Sequence, residues 1–572
     1  MFSPTNKAHR SEAYLDEFVS QFVGLSEDRP WRDIGYFSGP KTGPAKYNPS
    51  SPLVSSSKYS LNFRKFISFA HSNYTPLKKD KQYIIAFDQG TTSSRALLVD
   101  TDGQLCDIAQ QEFKQIFPKP GWVEHDPEEI WTSQWAVFKK LIDKNKLQAD
   151  QIVGIGITNQ RETTVIWDRA TGKPVYNALV WQDKRTAPQC EVLKEKGLTD
   201  YVREHTGLVI DSYFCATKIM WVLENVKGAR EKAANGDLCF GTIDTWLIWN
   251  LTGGQSHVTD HTNASRTMLF DIVKMDWDQK LLKEMDIPES LLPSVQPSGS
   301  HFGDLEFEGV KIPINGVAGD QQAALFGQAC FSPGLAKNTY GTGCFLLMNM
   351  GAKHVVSQNG LLTTLACSMN DQPVYALEGS IFIAGAAIQW LRDGINIIKH
   401  AADTEKLAME SDKDEVVVVP AFAGLGTPYW DMYARGAIFG LTRDTGIPEI
   451  AKATLQSLAF QTKDVINAMM EDTNIPIKTL KVDGGACANN YLMQFQADIL
   501  DAPVERPEII ETTAMGAAYL AGIVSGIWKI DDVDKNRKVE KLFKPHIDSK
   551  KRDSLYSQWT KGVQRVMNWN KK

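Results

Sequence analysis

From Gln82 onward, hydrophobic and polar positions fall into regular patterns that the first 80 residues lack. Tyr83–Phe87 is an apolar run stopping at Asp88, Gln89–Ser93 reads as a turn, and Arg95–Val99 is a second apolar run. Thr101-Asp102-Gly103 is another turn before a third strand over Gln104–Ile108, so the pattern predicts an antiparallel meander. Asp126-Pro127-Glu128-Glu129 predicts a helix start: a capping side chain, proline at the first position and acids in the first turn. Trp131, Trp135, Phe138 and Ile142 follow at helical spacing, and Ile152–Thr158 reads as a buried strand by its β-branched content. Alternation of strands with helices predicts α/β architecture. Near residue 340 the opening pattern returns, with Asn338–Tyr340, the turn Gly341-Thr342-Gly343, and Cys344–Met348. Either two lobes share one plan, joined near the turn cluster Phe331-Ser332-Pro333-Gly334, or two Gly-Thr hairpins are alike by chance.

Composition narrows the function classes. The 62 Lys+Arg and 68 Asp+Glu residues give a net charge of −6, against the basic surface of a general nucleic-acid binder. Eight cysteines without a Cys-x-x-Cys pair argue against a zinc cluster or disulfide scaffold and favour a reducing compartment. The longest apolar stretch, Ala514–Trp528, is broken by Gly516, Gly522 and Gly526 and is too short to span a membrane. The opening MFSPTNKAHRSE is not a signal peptide by its pattern. Between Asp33 and Asp80 lie seven basic residues and no acidic one, and Leu61, Phe63, Phe66, Ile67 and Ala70 could share a short helical face. A disordered tail, a targeting segment engaging organelle import machinery, and an ordered docking arm are the three readings of residues 1–80. The expected location is cytoplasmic, with mitochondrial as the alternative.

Four segments could carry chemistry. In Asp88–Arg95 a Gly-, Thr- and Ser-rich turn offers backbone N–H groups and hydroxyls to phosphate oxygens, and an aspartate at a strand end suits hydrated Mg²⁺. A plain hairpin would use the same residue types. No Walker A loop, dinucleotide fingerprint or His-Glu-x-x-His is present. In Val317–Gln322 a strand delivers Asp320 onto a small-residue turn, where it could take a proton from an attacking hydroxyl or simply cap the next helix. Val482–Asn490 is a strand, two glycines and a helix, suited to close approach of a flat ligand. Asn159–Glu162, Trp181–Asp183 and Asp211–Phe214 could furnish polar partners and aromatic walls for a small polyol, or an ion pair and core aromatics.

Together these segments resemble the FGGY carbohydrate kinase family. The resemblance runs from about Lys81 to about Trp528 and includes FDQGTTSSR, GITNQRET, WQDKRT, TNASRTMLFDI, AGDQQAALFGQ, YGTGCFLLMN, SIFIAGAAIQWLRD, GLGTPYWD and DGGACANN, in that order. It implies an α/β, two-lobed actin-like ATPase fold, each lobe with a ribonuclease H-like core and the active site in the cleft between them. It implies transfer of phosphate from MgATP to glycerol, giving sn-glycerol 3-phosphate. By position, Arg161, Glu162, Trp181, Tyr213, Asp320, Gln321 and Phe345 match the family's glycerol pocket, with Asp320 as general base. Thr91, Thr92, Ser93 and Arg95 match the phosphate loop, and Asp88 the Mg²⁺-associated carboxylate. Thr342, Gly385, Gln389, Gly485 and Asn489 match nucleotide contacts. The implied organisation is an extension at 1–80, an N-terminal lobe at 81–332, a C-terminal lobe at 333–535 and a helical end at 536–572. Relatives also imply a homodimer. The segment DLEFEGVKI before Pro313 lacks the loop with which some relatives bind a sugar bisphosphate, and Asp531–Lys541 lacks their docking pattern for a phosphotransfer protein.

Overall fold

The computed structural model describes residues 81–571; the readings of residues 1–80, including the Leu61–Ala70 helix, lie outside the described residues. The predicted meander forms β1 (Tyr83–Gln89), β2 (Ser93–Asp100) and β3 (Leu105–Glu112), antiparallel from Tyr83↔Asp100 to Gln89↔Ser94. Helix α1 (Pro127–Asn145) starts where its cap predicts, with the Asp126 carboxylate accepting the Glu128 N–H at 2.9 Å. Strand β4 (Ile152–Asn159) runs parallel to β1. The hairpin β5 (Gly303–Phe307) and β6 (Val310–Gly319) follows, and β6 leads into helix α2 (Asp320–Gly327). The six-stranded sheet has the order β5-β6-β4-β1-β2-β3.

The second sheet repeats this plan. It contains β7 (Leu335–Tyr340), β8 (Cys344–Gly351), β9 (Leu362–Leu365), β10 (Tyr375–Ile381), β11 (Thr479–Asp483), β12 (Val504–Pro507) and β13 (Val539–Phe543), in the order β9-β10-β8-β7-β11-β12-β13. Moving out from β7, two antiparallel neighbours lie on one side; on the other, two parallel strands precede an antiparallel edge. The same sequence of pairings surrounds β1, and β9 is the one addition. The echo near residue 340 is therefore a repeated lobe, not a chance likeness of two hairpins. The 27-residue helix α3 (Ile447–Thr473) packs in the second lobe.

Strand β1 reads as a continuous apolar run because both of its faces are buried. Tyr83, Ile85 and Phe87 join the core under α1, where Phe87 meets Phe138 edge-on at 5.8 Å. Ile84 and Ala86 join a second core with Ala514, Ala517, Ala518 and Ala521 of helix α4 (Thr512–Val524). This helix is the glycine-rich apolar stretch of the sequence. A Cβ on Gly156 of β4 would lie 2.1 Å from the Ala517 carbonyl oxygen, so small residues let helix and sheet touch backbone to backbone. The expected division at 333–535 and 536–572 thus does not follow the sheets. Helix α4 lies against the first sheet, whereas β13 is an edge strand of the second, followed by helix α5 (Ser549–Val566).

Candidate active site

The parallel pairing of β1, β4 and β6 aligns their carboxyl ends, the usual ligand-binding edge of such a sheet. Asp88 pairs with Thr158, Gln89 with Asn159, and Asn159 with Gly319, immediately before Asp320. Second-lobe strands end in the same way, with Thr339 opposite Asp483 and two glycines next. Every segment singled out in the sequence therefore lies at a strand end or the turn that follows, apart from the Trp181 and Asp211 loops.

Asp320 does not cap its helix from the preceding position, which Gly319 occupies. It is the first helical residue, and its Oδ1 accepts the Gln321 N–H at 2.7 Å. The same oxygen lies 3.2 Å from Arg161 Nε, and a third of the side chain stays exposed. Burial pushes the Asp320 carboxyl above the usual aspartate range, against the pull of Arg161 and Lys337. Behind it, Gly319 N–H donates to Thr262 Oγ1 at 2.8 Å, and Thr262 Oγ1 donates to Asp260 at 2.7 Å, which fixes the turn.

Arg161 is buried and shares its charge with the second lobe. Its Nη1 and Nη2 donate to the two Glu378 oxygens of β10 at 2.6 and 3.1 Å, a bidentate pair. Arg266 donates through Nε to Glu162 at 2.5 Å and through Nη2 to Glu378 at 3.1 Å. Burial alone would push Glu378 up, but the Arg161 and Arg266 guanidiniums hold it down to about 2. Two cations and two anions thus compensate each other in the interior, as buried charges must. Glu162 occupies a left-handed backbone position (φ 59), a strain found at ligand clamps.

Aromatic rings close the pocket. Trp181 meets Tyr213 at 5.6 Å and Phe345 at 6.5 Å, both edge-on, bringing residues from three distant segments together. Trp181 Nε1 also donates to Thr91 Oγ1 at 3.0 Å, so the aromatic wall touches the phosphate-loop candidate. The Trp181 loop is anchored by Asp183, which accepts Val123 N–H at 2.6 Å and pairs with buried Arg185 at 2.8 Å.

In the Gln89–Ser93 turn, Gly90 N–H donates to the Ser93 carbonyl at 2.9 Å and Thr92 is exposed. Asp88 is buried and paired with Arg95, whose other nitrogen reaches Glu511 at 2.5 Å. The second-lobe candidates adjoin one another less uniformly. Gly385 N–H donates to the Gly341 carbonyl at 3.0 Å and Ala386 N–H to the Thr342 carbonyl at 3.1 Å. Gly484 has φ 82, and a Cβ there would lie 2.6 Å from the Tyr340 carbonyl oxygen, whereas Gly485 faces open space. Asn489 caps the helix Asn490–Leu500, accepting Leu492 N–H at 2.9 Å and donating to Thr404 at 3.2 Å. Gln389 is exposed at the end of the short helix Gly385–Gln389.

Sequence reasoning gave no role to Arg266, Glu378 or Lys337. The available signal was a single charge inside an otherwise apolar or neutral strand, in YALEGSI and LAKNTY. On a half-solvated strand such a charge would face water, so only the burial of both faces makes it notable.

The chain is similar to known proteins along most of its length. Residues 83–327 match the N-terminal domain of the FGGY family of carbohydrate kinases and residues 336–525 its C-terminal domain. The chain is 60% identical over 492 residues to a glycerol kinase of Thermoanaerobacter pseudethanolicus, covering 85% of this chain and 99% of that protein. It is 58% identical over 495 residues to glycerol kinase 2 of Thermotoga maritima, covering 86% and 100%. The crystal structure of Plasmodium falciparum glycerol kinase with ADP superposes with a TM-score of 0.81 at 39% identity, covering 85% of this chain and 98% of that one. With both of its domains matched in order and relatives this similar along nearly their whole length, the chain belongs to the FGGY family of carbohydrate kinases.

Proposed function

We propose that the protein transfers the γ-phosphoryl group of ATP to a terminal hydroxyl of glycerol, releasing ADP and sn-glycerol 3-phosphate. The observation that carries this reading is the Asp320 carboxylate held 3.2 Å from Arg161 Nε, beside a wall formed by Trp181, Tyr213 and Phe345. Arg161, Glu162 and Gln321 offer donors and acceptors to neighbouring hydroxyls, while the rings enclose a short carbon chain. Asp320 takes the proton as the hydroxyl oxygen bonds to phosphorus and the bond to the β-phosphate oxygen breaks. A carboxyl shifted upward by burial suits a base that must accept a proton in the transition state.

Backbone N–H groups of the turn beyond Gly90, whose own N–H is held by the Ser93 carbonyl, and the Thr91, Thr92 and Ser93 hydroxyls would receive the phosphates, with Arg95 adding charge. Thr342, Gly385, Gln389, Gly485 and Asn489 would line the nucleoside, with Gly485 leaving the room a flat base needs. Asp88, a buried carboxylate at the end of β1 that is paired with Arg95, would hold Mg²⁺ by giving up part of that pair, and the ion would neutralise phosphate charge when bound. All eight cysteines are free, which is in keeping with a reducing compartment. Among the described residues, no helix is long and apolar enough to cross a membrane. A coupled ADP-release assay against glycerol, dihydroxyacetone, xylulose and gluconate tests the reading. Release is expected to be strongest with glycerol; a stronger response to another sugar, or none to any, would overturn it.

A further inference from the structure

Strand β7 carries one charged side chain, Lys337, and it is fully buried. Its Nζ has three protons and three acceptors: Gln321 Oε1, Thr339 Oγ1 at 3.0 Å and the Phe345 carbonyl at 3.2 Å. All three are neutral, and among the described residues Lys337 forms no ion pair within 4.0 Å. Burying an ammonium in this way is costly, and desolvation pushes its pKa down to about 8. A methionine would fill the same volume without that cost, so packing alone does not account for the charge.

Its surroundings give the charge a use. Lys337 belongs to the second lobe, whereas Gln321 follows Asp320 in the first turn of α2, in the first lobe. An ammonium has no acceptor, so the Gln321 amide atom facing it must be the oxygen. The Gln321 NH₂ then carries the donors: one serves the neighbouring Asp320 carboxylate, which leaves the second for the pocket. The charged groups facing Lys337 are Asp483 from β11, Asp320 from α2, Arg161 after β4 and Glu378 from β10. Asp483 accepts only from neutral groups, Gln328 at 3.1 Å and Thr512 at 2.5 Å, so it draws on the Lys337 charge together with Asp320, whereas Glu378 is matched by Arg161 and Arg266. Asp320 shares Arg161 with Glu378, which leaves its charge only partly compensated without a second cation.

We propose that Lys337 is a positioning residue for phosphoryl transfer: from the second lobe it turns the Gln321 amide to donate to a substrate hydroxyl and supplies the positive charge that keeps Asp320 ionised. This inference rests on Asp320 acting as the base. It places one determinant of the polyol pocket on the lobe opposite the residues it controls.

The test measures kcat and KM for glycerol and for ATP across pH in the full chain, in Lys337→Met, in Lys337→Arg, in Gln321→Ala and in the Lys337→Met/Gln321→Ala double variant. In Lys337→Met, the acid limb of kcat/KM for glycerol should move up by roughly one pH unit, as a carboxylate losing a nearby cation does. Its glycerol KM should rise about tenfold, the scale of one misaligned hydrogen bond, with KM for ATP little changed. Lys337→Arg keeps the charge but not the three-acceptor geometry, so KM rises and the acid limb stays. The double variant should have a glycerol KM no higher than the larger single effect, because both changes act through one amide. An unmoved acid limb in Lys337→Met, or additive KM effects, would overturn the proposal. Should Lys337→Met fail to fold, an unchanged glycerol KM in Lys337→Arg would overturn it equally. Absence of glycerol turnover in the unaltered chain would instead remove the reading of Asp320 itself.

Discussion

At the scale of single residues, the proposed reaction makes different demands on Asp320 and Trp181. Asp320→Asn keeps the shape and the contact with Arg161 but cannot accept a proton, so turnover should fall roughly 10²–10⁴-fold while glycerol still binds. Near-normal turnover, measured by steady-state kinetics beside isothermal titration with glycerol, would refute the assignment. Trp181 packs edge-on against Tyr213, in the wall proposed for the polyol, and also donates to Thr91. Trp181→Phe retains the wall and loses the donor, so kcat and the ATP KM should change more than the glycerol KM. The opposite split in a kinetic comparison would confine Trp181 to the polyol pocket. Asp320, Arg161, Glu162, Trp181 and Phe345 could be singled out in the sequence because each lies in a long motif, and the fold pairs Asp320 with Arg161 and Trp181 with Phe345. Glu378 and Arg266 were given no role, because theirs comes from pairing at a distance: Glu378 meets Arg161 and Arg266 from the other lobe, and Arg266 meets Glu162 within its own.

At the scale of elements, the tightest constraint is the seat of α4. A Cβ on Gly516 would lie 1.9 Å from the Ala323 carbonyl oxygen of α2, the helix that begins with Asp320. Gly516→Ala must push one helix off the other and should destabilise the protein by about 3 kcal/mol, read from urea unfolding. A change within experimental scatter would show that the two helices separate easily. The docking of α5 predicts a pH dependence. Asp464 of α3 is buried, accepts from Tyr556 Oη at 2.6 Å and Trp559 Nε1 at 2.8 Å, and is pushed up by burial to about 6. The folded protein therefore binds this proton more tightly than the unfolded chain. The stabilisation is complete below the unfolded value of 3.8 and is lost as pH rises through about 6. Asp464→Asn should remove it, so the stability difference between variant and parent should change by about 3 kcal/mol between pH 4 and 7. Parallel stability curves over that interval would contradict this account. Strands and the start of α1 were readable from period and capping alone, whereas the partner of the Ala514–Trp528 stretch was not. Its small residues announced close packing without saying which sheet it packs on.

For the whole molecule, both sheets and every candidate site residue lie within residues 81–571. A chain beginning at Lys81 should keep the turnover of the full chain in the ADP-release assay; loss of turnover in a folded truncation would assign residues 1–80 a part in catalysis. The sequence by itself determined the repeated strand-turn-strand plan, the strand ends that carry Asp88, Asp320 and Asp483, and the family these motifs belong to. Those features are local: period, turn chemistry and motif order are written in consecutive residues. Only the tertiary structure decided that α4 lies on the first sheet and that Glu378 neutralises Arg161 and Arg266. It alone also decided that Lys337 reaches Gln321 from the opposite lobe. These are contacts between residues far apart in the chain, and they matter because burial removes the water that would otherwise screen each charge, so each must find its counterpart in the fold.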